Sequence, residues 1–342
     1  MTIIGNSIIY ISMEIEEINT RNAKRIFSKV GFALFIIGLI STVVSTIIVL
    51  ISKYVLNFSQ ETLQSGMYLI LVSIISLYLF SYPVGFVMLN NLPSFEYQKK
   101  KLHLEQFLRY LIICFSMMHI GNIIGTVLSL FLSSGSAVNP LTILEDNNIL
   151  ANILLSVVAA PIVEELIFRK QIIDHTKRFG EKSAIIFSAI AFGLFHMNLF
   201  QFFYAFGVGL IFGYIYTRTN DIKYTIFLHM IINFFGGIVA PYIVSLVDYS
   251  AIMSGSYLYM QGTELFSVFV PVLFMFVYAF AVFVITILGI VMLIDDRRKI
   301  HFEPAMNQEG IINGFKTRYL NIGVILFIVL CVTMIILSLL GH

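Results

Sequence analysis

The sequence predicts an all-α protein, a polytopic membrane helix bundle of about nine transmembrane helices with its N-terminus in the cytoplasm. Three observations carry that prediction. Of 342 residues, 58% are hydrophobic and only 12% charged, whereas a soluble chain carries about 25% charged residues. Apolar runs of about 18 residues or more recur along the whole length, each long enough to cross a bilayer. The basic residues fall in alternate gaps between those runs, as the positive-inside rule requires. A single soluble core is excluded. The net charge of +2 carries no signature of a nucleic-acid partner, and none is expected; the partners expected are membrane lipid and a peptide.

The spans are read at 31–51, 67–89, 107–132, 149–169, 184–198, 200–217, 223–245, 265–294 and 319–340. The first follows a mixed-charge stretch, MEIEEINTRNAKRIFSK, with no cleavable signal peptide ahead of it; Met13 stands as an alternative start. The fifth is short, and only MNLF separates it from the sixth, so the two form a tight hairpin. Loops 133–148 and 246–264 hold no basic residue, and a polar link, 295–317, precedes an isolated last helix. With nine alternating helices, 20 of the 21 Lys and Arg lie on one side, and Lys53 alone on the other. That side is cytoplasmic and the C-terminus lies outside. The chain is accordingly divided into a cytoplasmic segment (1–30), accessory helices (31–148), a catalytic core (149–245) and C-terminal helices (246–342), in a multi-pass protein of the cell membrane. Two glycine pairs at four-residue spacing, Gly121/Gly125 and Gly209/Gly213, mark close helix approaches. Cys114 and Cys331 both fall inside spans and read as packing residues.

Ionisable groups inside a membrane are costly, so they are paired and often functional. Within the spans they are few: Glu164, Glu165 and Arg169 in the fourth, His119 in the third, His196 in the fifth and His229 in the seventh. Glu165 and Arg169, four apart, suit an ion pair on one helix face. Glu164 lies about 100° further round, so that pairing does not account for it. A glutamate in a partly dry pocket can act as a base toward water, given partners that hold the water and receive an oxyanion. Span five supplies FGLFH, ending at His196, and span seven supplies HMIIN, placing His229 and Asn233 on one face. His119 reads as a hydrogen-bonded packing group. Counting from Arg169 and Lys223 as interfacial residues, Glu164 and His229 lie roughly 8–9 Å into the cytoplasmic half, while His196 comes out roughly 21 Å from Lys182.

EELIFR, FGLFH and HMIIN, in that order on successive helices, fit the EExxxR, FxxxH and HxxxN-type motifs. They resemble the CPBP family of intramembrane proteases, which includes CAAX prenyl endopeptidases, bacteriocin-processing enzymes and Abi proteins. The resemblance covers roughly residues 150–245. It implies an intramembrane endopeptidase acting near the cytoplasmic face on a membrane-associated or lipidated peptide. Glu164 is then the water-activating base, His196 helps to position the water, His229 and Asn233 stabilise the oxyanion, and Glu165 and Arg169 give structural support. The same residues have also been read as metal ligands. The metal-free reading is preferred here because no HExxH is present and Asn is a poor zinc ligand; with zinc, the set would be Glu164, His196 and His229.

Other readings stand beside this one. A non-proteolytic membrane immunity or chaperone-like protein of the same family would carry the motifs without cleavage. A haem protein would use His119, His196 and His229 as axial ligands and would absorb near 400–430 nm, roughly the range that a haem band occupies. An ion-coupled transporter is disfavoured by the lack of an internal repeat.

Overall fold

The structure is a computed structural model that describes residues 2–94, 98–140, 149–304 and 314–340, with side chains from Glu16 onward. Nine long helices follow one another, and no strand occurs among the described residues. They are α1 (Thr2–Tyr54), α2 (Gly66–Asn90), α3 (Leu104–Leu132), α4 (Ile149–Phe179), α5 (Glu181–Phe195), α6 (Leu199–Thr219), α7 (Lys223–Ser245), α8 (Thr263–Asp296) and α9 (Ile322–Leu339). Eight are long and apolar enough to cross a membrane; α5, with 15 residues, is the exception. The chain is a multi-pass membrane protein. Parts of the loops read at 133–148 and 295–317, namely 141–148 and 305–313, lie outside the described residues.

The last helix is not isolated. Gly31 and Gly323 face each other across α1 and α9, so closely that a Cβ on Gly31 would meet the Val324 nitrogen at 2.5 Å. The Gly323 N–H donates to Ser28 Oγ at 3.2 Å. Phe27, Val30, Leu34 and Ile37 then bury against Val324, Phe327 and Cys331 in one core. The two predicted glycine pairs do sit at crossings. Gly121 and Gly125 meet the backbone of Tyr204 and of Leu199–Phe200, bringing α3 onto α6; Gly209 and Gly213 meet Ala189 and Ile185, closing α5 onto α6. Both cysteines are free and buried.

Three helices differ from the spans read in sequence: α5, read as 184–198, runs from Glu181 to Phe195 and is too short to count as a span. α1 begins well ahead of residue 31, and α4 continues to Phe179, one residue before a turn at Gly180 with φ +117°. Arg169 is therefore not at an interface but deep in α4, fully buried. The polar turn lies lower, where buried Glu181 pairs with Arg218, Arg318 donates to the Phe179 carbonyl at 2.8 Å, and Lys177 donates to Asn220 Oδ1 at 3.2 Å.

Three helices widen into π turns just ahead of a proline: Ile74–Ser81 before Pro83, Ile153–Ala159 before Pro161 and Phe235–Val239 before Pro241. Proline lacks an N–H and its ring clashes with the carbonyl four residues back; a wider turn moves that carbonyl aside. A fourth such turn, Leu166–Gln171, has no proline behind it, and nothing in its surroundings explains it.

Candidate active site

α4 descends from Glu164 to the Gly180 turn, and α5 climbs from that turn to His196. Each residue is 16 positions from Gly180, about 24 Å along its helix, so the hairpin sets Glu164 and His196 level. The depth expectation counted from Arg169 is thereby corrected, because the polar end of α4 is ten residues further on, at Phe179. His229 lies about 9 Å from Lys223; this shorter run requires α7 to start deeper or stand steeper than the α4–α5 pair.

The four residues read as catalytic line one cavity of ≈ 490 Å³, bounded by α2 through α8. The three proline-linked π turns contribute Ile74 and Tyr78, Leu155 and Ser156, and Gly236 and Gly237 to its wall. Local backbone widening thus opens space where the polar groups gather.

The groups are linked through His229, which is 5% exposed. Its Nδ1 lies 3.0 Å from Glu165 Oε1 and its Nε2 3.6 Å from Glu164 Oε2. Glu165 Oε2 lies 3.3 Å from Arg169 Nε, both side chains fully buried. The guanidinium sits over the Phe192 ring at 4.2 Å and the Phe212 ring at 5.2 Å, an arrangement that gives a buried cation π-faces in place of water. Glu164 keeps some exposure, 18% of its side chain. The sequence-predicted pair Glu165–Arg169 therefore forms, on the side of His229 away from the cavity, and Glu164 is the carboxylate left facing it.

His196 ends α5 as its C-cap, not within a helix reaching 198. Its Nδ1 lies 3.1 Å from the Phe192 carbonyl oxygen, so Nδ1–H donates there and Nε2 is an acceptor. Met197 follows at φ +54°, a conformation that costs a non-glycine residue on the order of 1–2 kcal/mol. That kink ends the helix and lets Asn198 cap α6. His196 and Glu164 share the cavity without an ion pair within 4.0 Å. Asn233 Nδ2 donates to the Ser156 carbonyl at 2.8 Å, tying α7 to the widened turn of α4.

Sequence reasoning noted Asn122 as a polar group within a span but gave no role to it or to several other polar groups of this wall. His119, set aside as a packing residue, lines the cavity with Asn122, Gln201, Tyr204, Tyr78 and Tyr278. Neither charge nor spacing marks tyrosines or an amide on an apolar helix; the one available signal was that Gln201 and Tyr204 open the helix directly after His196. As for zinc, among the described residues no three His, Cys, Asp or Glu side chains form a set that could hold a metal ion. No step below runs through a metal.

Comparison with known proteins bears on the same segment. Residues 146–235 match the model of the Rce1-like family, described as type II CAAX prenyl endopeptidase Rce1-like. YdiL of Bacillus subtilis (strain 168), a candidate membrane peptidase by its name, is 36% identical over 90 residues, which are 24% of this chain and 34% of that protein. The match thus spans about a third of the relative's length. No solved structure matches the chain. The matched segment contains all three motifs, with Glu164, His196 and His229 each in the wall of one cavity, and it is over residues 146–235 that the chain is similar to the Rce1-like membrane endopeptidases.

Proposed function

We propose that this chain is an intramembrane endopeptidase in which Glu164 activates water to hydrolyse a peptide bond of a membrane-associated or lipidated peptide. One observation carries the reading. Glu164 is the carboxylate of the pair that faces the cavity shared with His196, His229 and Asn233, while Glu165 is occupied by Arg169 and His229.

The chemistry follows from the acceptors available. A water between Glu164 and His196 donates one hydrogen bond to the carboxylate and one to His196 Nε2, which aims its lone pair at a substrate carbonyl carbon. Glu164 takes the proton as the C–O bond forms. The oxyanion needs donors, and His229 and Asn233 supply them. In this arrangement His229 Nε2 faces Glu164; once Glu164 is protonated and neutral, that attraction weakens and Nε2–H is released to the oxyanion. Glu164 then returns its proton to the leaving nitrogen as the C–N bond breaks. The clustering of basic residues on one side supports a cytoplasmic N-terminus, and on this reading cleavage occurs near the cytoplasmic face, inside the bundle at the level of Glu164 and His196.

The test is Glu164→Gln in purified protein reconstituted in vesicles, with a quenched fluorescent peptide carrying a farnesyl chain on a CAAX end and a matched peptide without lipid. Cleavage should fall by about a thousandfold or more, on the scale of losing a group that acts only in the transition state, with insertion and thermal stability retained. Full biological effect in the Glu164→Gln protein would replace this reading with the non-proteolytic immunity or chaperone-like one.

A further inference from the structure

The first turn of α6 carries a hydrogen-bond chain whose direction is set at its start. The backbone N–H of Gln201 donates to Asn198 Oδ1 at 2.9 Å, and a backbone N–H can only donate. Asn198 Oδ1 is therefore the acceptor, and its Nδ2 donates to the His196 carbonyl at 2.7 Å and to Gln201 Oε1 at 2.8 Å. That fixes the Gln201 amide in turn, so Nε2 donates to the Tyr204 hydroxyl oxygen at 2.8 Å. A phenol has one proton and acceptor lone pairs. With the oxygen accepting from Gln201, its own O–H points elsewhere, and Tyr204 lines the cavity. Among the described residues no acceptor for that proton is found.

The two donors already assigned to the oxyanion also have partners in this arrangement. His229 faces a carboxylate at each ring nitrogen, and Asn233 gives an amide proton to Ser156. Tyr204 is also held firmly: Gly121 of α3 lies against its backbone, and its ring meets the edge of His196 at a centroid distance of 6.3 Å.

We propose that Tyr204 is a substrate-contacting residue that presents its hydroxyl proton to the scissile carbonyl, with Asn198 and Gln201 as the positioning residues that aim it. This rests on the endopeptidase reading. The chain ties the donor to the same turn that carries His196, so water-holding imidazole and carbonyl-holding phenol move as one unit. No bond to Tyr204 forms or breaks; it lends a hydrogen bond that strengthens as the carbonyl oxygen gains charge.

The experiment is kinetic, on the full chain in vesicles with the two peptides named above. Tyr204→Phe keeps the ring and deletes only the oxygen. Its kcat should fall about tenfold to a hundredfold, toward the lower range for loss of an oxyanion donor, with KM changed less than about threefold. Gln201→Glu replaces the donor by an acceptor that captures the tyrosine proton, so it should lower kcat to a similar extent. The double variant should be no slower than the slower single one, because both changes remove the same donor. Thermal midpoints within a few degrees of the parent exclude a packing effect. Tyr204→Phe within twofold of the parent, or additive losses in the double variant, would overturn the assignment of Tyr204 while Glu164→Gln remained inactive and the protease reading stood. A parent protein that cleaves neither peptide overturns both.

Discussion

Arg169 is the bulkiest fully buried side chain among the described residues, and a guanidinium in an apolar interior is tolerable only when paired. Its partners are Glu165 on the same helix and two aromatic faces from α5 and α6. This explains why a second glutamate stands beside Glu164. Glu165 neutralises Arg169 and holds His229 Nδ1, leaving Glu164 to the cavity. Arg169→Met should destabilise by about 3–5 kcal/mol, since it strands a buried carboxylate. The Glu165→Gln, Arg169→Met double variant should recover part of that loss. Thermal unfolding in detergent measures both, and equal midpoints for the single and double variants would refute the pairing argument.

At the scale of elements, prolines shape the cavity. Pro161 is preceded by the widened turn that contains Ser156, whose carbonyl receives Asn233. In Pro161→Ala the turn is free to tighten to regular α geometry. Residues before it would then rotate relative to Glu164, and the Asn233 bond would break. Stability should hold or rise, because proline in a helix interior is unfavourable by about 3 kcal/mol, while cleavage should fall about tenfold through the lost donor geometry. A variant that kept its rate would mean that the widened turn is incidental to catalysis. The glycine crossings give a second element-scale expectation. Gly323→Val puts side-chain atoms against the Ser28 carbonyl of α1 and should detach α9, which limited proteolysis of the C-terminal helix would report. The same argument accounts for α9 being read as isolated in sequence. A polar link and one apolar run identify a span, but only the facing of two glycines from opposite ends of the chain shows what it packs on.

For the whole molecule, the distribution of basic residues predicts a cytoplasmic N-terminus. Both native cysteines are completely buried, so a membrane-impermeant thiol reagent should leave the parent protein unlabelled. Lys182→Cys, beside the Gly180 turn, should label from the cytoplasmic side, and Ser134→Cys, in the loop after α3, from the outside. Labelling of both from one side would contradict the alternation of helices. A chelator should leave cleavage unchanged, and metal analysis of the active protein should find less than one equivalent of zinc; loss of activity restored by zinc would return Glu164, His196 and His229 to the role of ligands.

What the sequence by itself determined is the all-α membrane bundle, eight of its nine apolar helices as spans and the short list of charged groups inside them, because lipid penalises every unsatisfied polar atom and so makes hydropathy and charge legible one residue at a time. The level of Glu164 and His196 was legible too, since both stand 16 residues from Gly180. It was misread because Arg169 was taken as the membrane edge, and an arginine whose charge is countered by Glu165 and two aromatic rings can lie far from any edge. Only the tertiary structure decided which glutamate faces the cavity, where α9 docks and that Tyr204 joins the wall. Those outcomes depend on which helix faces meet, a property of pairs of distant residues that no local pattern of hydropathy contains.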